Sequence, residues 1–330
     1  MLEINHLRKL FPASAGTIWR REEKFVHAVD DVSLTLGAGE IVALVGESGC
    51  GKSTLALTLM GLEKPTAGEI LLNGRDITHL HGAELKAVRR QMQMIFQDPY
   101  ESLNPTMTIR QIVGEPLQVH GLAQDATERE QRIIRALGDA GLKPPANFLG
   151  RYPHELSGGQ RQRVVIASAL VLEPAILLAD EPVSMLDVSI RAEILNLLAE
   201  LRQTRHIAVL FITHDLSTIA YFADRIAVMY LGRIVELGRT AELLQNPQHP
   251  YTRALLSVMP VPNPRQKRAR MILQGETPNP IDLPTGCRFH PRCPVAITAC
   301  ATADPAQHAL SPSHWAACHL VASAELAPQL

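Results

Sequence analysis

The chain has 330 residues, of which 46% are hydrophobic, and a formal net charge of −1 at pH 7. That is enough apolar material for one large or two modest globular domains, and with no basic excess there is no electrostatic footprint for nucleic acid. No apolar run approaches the roughly 20 residues that a membrane-spanning helix needs, and Met1-Leu2-Glu3-Ile4-Asn5 carries no signal-peptide core, so a soluble cytoplasmic chain is expected.

In chain order, residues 40–45 read as a short buried strand and residues 52–60 as a helix. Between them Gly46-Glu47-Ser48-Gly49-Cys50-Gly51-Lys52-Ser53-Thr54 matches G-x-x-x-x-G-K-[ST] in the strand–loop–helix context that a phosphate loop requires. The glycines let the backbone curl so that its N–H groups, with the positive end of the helix, form an anion cradle. Lys52 is placed to reach the β/γ-phosphates and the Ser53 hydroxyl to hold Mg²⁺. Cys50 reads as a small filler.

Residues 69–72 read as a strand, 83–90 as a helix and 92–96 as a strand. Beyond them the character changes. Asp98-Pro99 and Asn104-Pro105 punctuate a loop. Ile109, Ile112 and Val113, then Ile133, Ile134 and Leu137 with Leu142, recur at helical spacing. An inserted helical subdomain over about residues 98–165 is expected. Leu156-Ser157-Gly158-Gly159-Gln160 precedes a helix predicted over 160–172, with Ser157 as its N-cap. Its bare N–H groups make a second anion site. Ala175-Ile176-Leu177-Leu178-Ala179-Asp180-Glu181 is a continuous apolar run ending in two carboxylates. Such a run fits a parallel strand buried on both faces, and its carboxyl end is where an open α/β sheet presents ligands. Asp180 is placed there to bind Mg²⁺ through a water, and Glu181 to polarise the attacking water as general base. Ile190, Ile194, Leu197, Leu198 and Leu201 make one face of a helix, and 207–212, 226–230 and 234–237 read as further strands. The chain carries one phosphate loop and no internal repeat.

These motifs, in this order over about residues 1–240, resemble the nucleotide-binding subunits of ATP-binding cassette (ABC) transporters. The resemblance implies a P-loop NTPase of ABC type, α/β, with an inserted helical subdomain. ATP and Mg²⁺ would be held by Gly46, Ser48, Gly49, Gly51, Lys52, Ser53, Thr54 and Asp180. Gln97 matches the Q-loop glutamine, which contacts Mg²⁺ and the water and senses the membrane partner. Ser157, Gly158, Gly159 and Gln160 match the signature that closes on the γ-phosphate bound by the opposite chain. Ser184-Met185-Leu186-Asp187 matches the D-loop, Met185 replacing the usual small residue, and His214 matches the switch histidine. Glu181, His214 and Gln97 are thus the catalytic set. Phe25 or Trp19 is the candidate for stacking on adenine, in a region where residues 13–23 look like an insertion. The groove around residues 97–107 would receive a short helix from the membrane subunit. Arg151-Tyr152-Pro153-His154-Glu155 is typical of importers.

The nucleotide-binding domain is assigned to residues 1–245 and a C-terminal extension to 246–330. Asn246-Pro247-Gln248-His249-Pro250-Tyr251-Thr252-Arg253-Ala254-Leu255-Leu256 resembles a segment of dipeptide, oligopeptide and nickel importer ATPases. A linker with Pro260, Pro262 and Pro264 and a basic run, residues 265–270, follow. Then come Cys287, Cys293, Cys300 and Cys318, spaced C-x5-C-x6-C-x17-C. In a reducing compartment four such thiols suggest a metal or cluster site rather than disulfides. The lack of C-x2-C weakens zinc, and the resemblance implies a [4Fe–4S] cluster; Zn²⁺ and free thiols are the alternatives. His290, His314 and His319 are further candidate ligands. The implied function is the ATPase that energises peptide import, with nickel or another solute as the alternative cargo, and a soluble non-transport ABC ATPase as a different class. The implied partners are a second, related ATPase subunit, two transmembrane permease subunits and an external solute-binding protein, with no nucleic acid, at the cytoplasmic face of the inner membrane.

Overall fold

Leu2–Ala13 (β1) and Lys24–Leu36 (β2) pair antiparallel, with register shifts at Ile4/Leu7, Leu7/Arg8 and Lys9/Leu10. The structure, a computed structural model, describes residues 1–13, 24–259 and 271–322. Trp19, the proline linker and the basic run at 265–270 lie outside the described residues. Ile41–Val45 (β3) begins the main sheet, whereas Ala67–Leu72 (β4) and Arg75–Asp76 (β5) complete a four-stranded antiparallel sheet of order β2-β1-β4-β5.

The main sheet adds Met92–Ile95 (β6), Ile176–Asp180 (β7), Ala208–Thr213 (β8), Arg225–Tyr230 (β9), Arg233–Arg239 (β10), Gln307–Ser311 (β11) and His314–Ala317 (β12). Its order is β11-β12-β10-β9-β3-β8-β7-β6. The strands from β9 to β6 run parallel, and β10, β12 and β11 are antiparallel to their neighbours. Unbroken apolar runs suit the parallel strands because both faces are covered. Successive side chains of a strand point to opposite faces. Ile41, Ala43 and Val45 therefore enter a core shared with the helices, while Val42 and Leu44 enter a second core shared with Leu2, Ile4, Leu7 and Leu34 of the antiparallel sheet.

Helices Lys52–Leu59 (α1) and Gly82–Gln91 (α2) follow β3 and β5. The segment after β6 is helical: Pro99–Ser102 (α3), Ile109–Val119 (α4), Ala126–Asp139 (α5) and Gly158–Leu170 (α6). Local chemistry starts each of the last three. Thr108 and Gln111 form a capping box on α4, Asp125 accepts from the Glu128 N–H on α5, and Ser157 and Gln160 form a capping box on α6. The last box moves the start of α6 to Gly158, two residues ahead of the predicted start. Ile109, Ile112, Val113, Ile133, Leu137 and Leu142 are all buried in one core with α6. Ile134 stays on the solvent side, 37% exposed, because one residue turns a helix by about 100°.

Val188–Arg205 (α7), Leu216–Ile219 (α8), Thr240–Gln245 (α9) and Pro250–Ser257 (α10) complete the body. The C-terminal segment packs on this body. Tyr251, Leu256, Cys287, Phe289 and Cys300 join the same core as β3 and α6, and β12 pairs with β10 through Glu236↔Ala316 and Leu237↔Trp315. Glu236, fully buried, accepts from the backbone N–H groups of Gln248 (2.7 Å) and His249 (3.0 Å) and meets His314 Nε2 at 2.8 Å. Burial lowers the His249 pKa to about 4, so its ring is neutral at pH 7. Nδ1 of His249 accepts the Tyr251 N–H at 3.1 Å and caps α10. Arg288, buried, pairs with Asp30 of β2 and donates to the Leu231 carbonyl. The two late strands were not legible beforehand: Gln307–Ser311 is short and polar, and His-Trp-Ala-Ala has little β-branched content.

Candidate active site

The phosphate loop begins where β3 ends and closes on α1. Gly51, the N-cap of α1, has φ +107°, and a Cβ there would lie 1.8 Å from the Ala28 carbonyl oxygen. A Cβ on Gly46 would lie 2.2 Å from the Met229 carbonyl oxygen. Only glycine allows the loop to pass this close to β2 and β9. The first turn of α1 carries no acidic residue and its N-cap no side-chain bond, so its N–H groups face the loop uncompensated. Lys52, 5% exposed, donates to the carbonyls of Gly46 (2.8 Å) and Glu47 (2.9 Å), which fixes its ammonium inside the loop. Cys50 is buried against it, and burial pushes its thiol pKa up.

The remaining groups come from the carboxyl ends of neighbouring strands, where a parallel sheet presents its ligands. Asp180 ends β7. Its Oδ1 is buried with no hydrogen-bond partner among the described residues, and the Ser53 hydroxyl bonds to its carboxylate. Burial pushes its pKa up, the Ser53 bond and Lys52 oppose this, and Glu181 adds to it. An orphaned buried carboxylate oxygen beside a hydroxyl is a hard-oxygen donor set and fits Mg²⁺. Glu181 has φ +45°, a sparsely populated conformation for a residue with a side chain. Its N–H donates to the Ile212 carbonyl (2.9 Å), and its own carbonyl accepts from the Ser184 N–H (3.2 Å) and hydroxyl (3.0 Å). Its carboxylate accepts from Gln97 Nε2 (3.4 Å), beyond β6, and from His214 Nδ1 (3.0 Å), beyond β8. A cavity of about 750 Å³ unites Gln97, Glu181 and His214 with Gly46, Ser48, Gly49, Gly51, Lys52, Ser53 and Thr54.

Residues 29–184 match the family described as ABC transporter, and residues 235–300 match the oligopeptide/dipeptide transporter C-terminal region. The chain is 49% identical to the oligopeptide transport ATP-binding protein AppF of Bacillus subtilis, over 97% of each chain. The chain belongs to the ABC transporter family. This ABC ATPase is also 47% identical to the probable peptide ABC transporter ATP-binding protein y4tS of Sinorhizobium fredii, over 99% of this chain and 92% of that protein. Among solved structures it resembles the ATP-binding cassette MJ0796, a dimer in a post-hydrolysis state bound to ADP and Pi. That match has a TM-score of 0.64 at 31% identity, over 73% of this chain and 99% of the other.

The start of α6 stands apart from this cavity. None of Ser157, Gly158, Gly159 and Gln160 lines it. A Cβ on Gly159 would sit 2.6 Å from Ile190 Cγ2, so this glycine lets α6 lie close to α7. Met185 is 58% exposed at the turn before α7. The aromatic at the cavity is Phe11. In the β1–β2 register Phe11 faces Val26 and Phe25 faces Pro12. Phe11 and Val26 line the cavity, and Phe25, one residue on, does not. Leu255 of α10 and Pro280 also line it. The segment 246–256 stood out in the sequence as a family resemblance, with nothing in it to place it at the nucleotide.

The four late cysteines gather in the extension. Cys287 N–H donates to the Cys300 carbonyl at 2.8 Å. Burial pushes the Cys287 and Cys293 thiols up to about 11, and the neighbouring thiols add to the rise; burial and Cys300 also raise Cys318. Among the described residues, no group of three or more His, Cys, Asp or Glu is arranged to hold a metal ion. A tetrahedral zinc thiolate needs sulfurs about 4 Å apart, so the zinc alternative has no formed site. The [4Fe–4S] expectation likewise has no preformed coordination group behind it. The candidate histidine ligands are engaged elsewhere: His290 Nδ1 with the Cys287 carbonyl (2.9 Å), His314 with Glu236, and His319 Nε2 with the Ala303 carbonyl (2.8 Å).

Proposed function

We propose that this ABC ATPase energises peptide import from the cytoplasmic face of the membrane. It would pair with a second, related ATPase subunit and work with two transmembrane permease subunits and an external solute-binding protein. The observation that carries this reading is the convergence of the phosphate loop, Glu181, Gln97 and His214 on one cavity, in a chain whose residues 235–300 match the oligopeptide/dipeptide transporter C-terminal region. No helix among the described residues is long and apolar enough to cross a membrane, so the pore belongs to other chains in this reading. Residues 1–245 act as the nucleotide-binding unit, about 98–165 as its helical arm facing the permease, and 246–330 as the extension.

The roles follow from position. Lys52 and the loop N–H groups hold the β- and γ-phosphates. Ser53 and Asp180, with Gln97, are the groups that would hold Mg²⁺, which when bound neutralises phosphate charge. Glu181 takes the proton of the water that attacks the γ-phosphorus, and the bond to the β–γ bridging oxygen breaks to leave ADP. His214 and Gln97 hold the Glu181 carboxylate in place. Ser157, Gly158, Gly159 and Gln160 offer the start of α6 to the γ-phosphate on the facing chain, which makes hydrolysis depend on pairing. Proteoliposomes holding the complete transporter should accumulate labelled di- or oligopeptide only with ATP and the binding protein. ATP-driven uptake of nickel or another solute, with none of peptide, would contradict the cargo assignment.

A [4Fe–4S] cluster on Cys287, Cys293, Cys300 and Cys318 belongs to the same proposal. What supports it is the sequence: four cysteines, soft donors of the kind that hold iron–sulfur clusters, without the C-x2-C spacing of zinc sites. Protein purified without oxygen should carry four irons and four acid-labile sulfides per chain. Stoichiometric zinc with no sulfide would contradict it.

A further inference from the structure

Glu47 is an acidic side chain inside a loop built to receive a polyanion, and the C-terminal segment grips it from three sides. Arg292 holds the Glu47 carboxylate with both terminal nitrogens, Nη1 to Oε2 at 2.8 Å and Nη2 to Oε1 at 3.2 Å. Thr277 donates its hydroxyl to the same Oε2 at 2.6 Å. The Tyr251 hydroxyl accepts the Glu47 backbone N–H at 2.9 Å. The Glu47 carbonyl in turn accepts from Lys52 Nζ, so the clamp and the phosphate-binding ammonium meet on one residue.

The clamp is itself fixed. The Arg292 side chain is 9% exposed and lies against Tyr230. Tyr230 packs on Tyr251 and Phe289, and Tyr251 also packs on Phe289. Burial works to raise the Glu47 pKa, and the Arg292 and Thr277 bonds outweigh it, so the carboxylate stays ionised. Left alone, that charge would stand beside the incoming phosphates, and like charges repel. A bidentate guanidinium is the group that neutralises a carboxylate with fixed geometry.

We infer that Arg292, with Thr277 and Tyr251, is a positioning element of the nucleotide site: it neutralises Glu47 and holds the phosphate loop open to ATP, so the C-terminal extension sets nucleotide affinity. This rests on the reading of the cavity as the ATP site. Because Arg292 lies between Cys287 and Cys293 in sequence, order in the cysteine loop reaches the phosphate loop through one side chain.

The test uses the full chain and the fluorescent analogue mant-ATP, with thermal unfolding followed alongside. Arg292→Ala should weaken binding about tenfold. Arg292→Lys should recover part of the loss. The double variant Arg292→Ala with Glu47→Gln should bind within about threefold of wild type, because the uncompensated charge is gone. A merely structural arginine would not be rescued this way. Equal affinity for Arg292→Ala and wild type, or a double variant as weak as Arg292→Ala alone, would overturn the inference. If Arg292→Ala does not fold, Thr277→Val serves as the probe: weaker binding that Glu47→Gln restores supports the clamp, and unchanged affinity overturns it. A folded wild-type chain that binds no mant-ATP would overturn the ATP-site reading itself.

Discussion

Replacing Glu181 by Gln lowers ATP hydrolysis by about a thousandfold while leaving ATP binding intact. The substitution keeps the length of the side chain and demands nothing new of the backbone, which already holds this residue at φ +45° through the Ile212 and Ser184 bonds. An amide oxygen still accepts a bond from Gln97 or His214. What it lacks is the capacity to take a proton from the attacking water. The chemical step therefore slows while Lys52 and the loop continue to hold nucleotide, and ATP-bound pairs accumulate. Steady-state phosphate release and equilibrium ATP binding, measured on the same protein, separate the two effects. Turnover close to wild type would remove Glu181 from the base role.

Lys52→Ala acts on the other half of the function. The ammonium is buried inside the loop and fixed by the Gly46 and Glu47 carbonyls, so its charge is already placed for phosphate and little ordering is needed on binding. Losing one member of a buried charge pair costs about 2–5 kcal/mol, so ATP affinity should fall by about 100-fold. Alanine is small and a good helix former, so α1 should still start at this position. Equilibrium titration with ATP reads the effect directly. Undiminished affinity would contradict the assignment of the loop.

The central strands were legible because burial on both faces leaves one kind of sequence. Ile41–Val45 is an unbroken apolar run, Ile176–Asp180 and Ala208–Thr213 are apolar up to their last residue, and the groups placed at their ends by motif lie at one end of the sheet. The cap at Ser157 is equally local, and it starts a helix. The parts that stayed hidden depend on distant segments. Phe11 rather than Phe25 reaches the cavity because the shifted β1–β2 register sets which face each side chain takes. Arg292 carries no signal in its Cys- and Pro-rich loop, and only the fold brings it to Glu47, 245 residues earlier. Glu236 gave no sign that it would be buried and tie β10 to His249 and His314. The positive φ of Glu181 has no sequence signature either, since glutamate is not a residue that favours it.

The proposed assembly shares each hydrolytic site between two chains. The most direct measurement is a structure of the assembled transporter carrying Glu181→Gln, with ATP and Mg²⁺. The expected result is nucleotide in this chain's cavity, its phosphates on Lys52 and Ser53, and this chain's Ser157 to Gln160 turn closed on the γ-phosphate held by the facing ATPase subunit. ATP fully enclosed by a single chain, with the facing subunit's helix start far from it, would contradict a shared site.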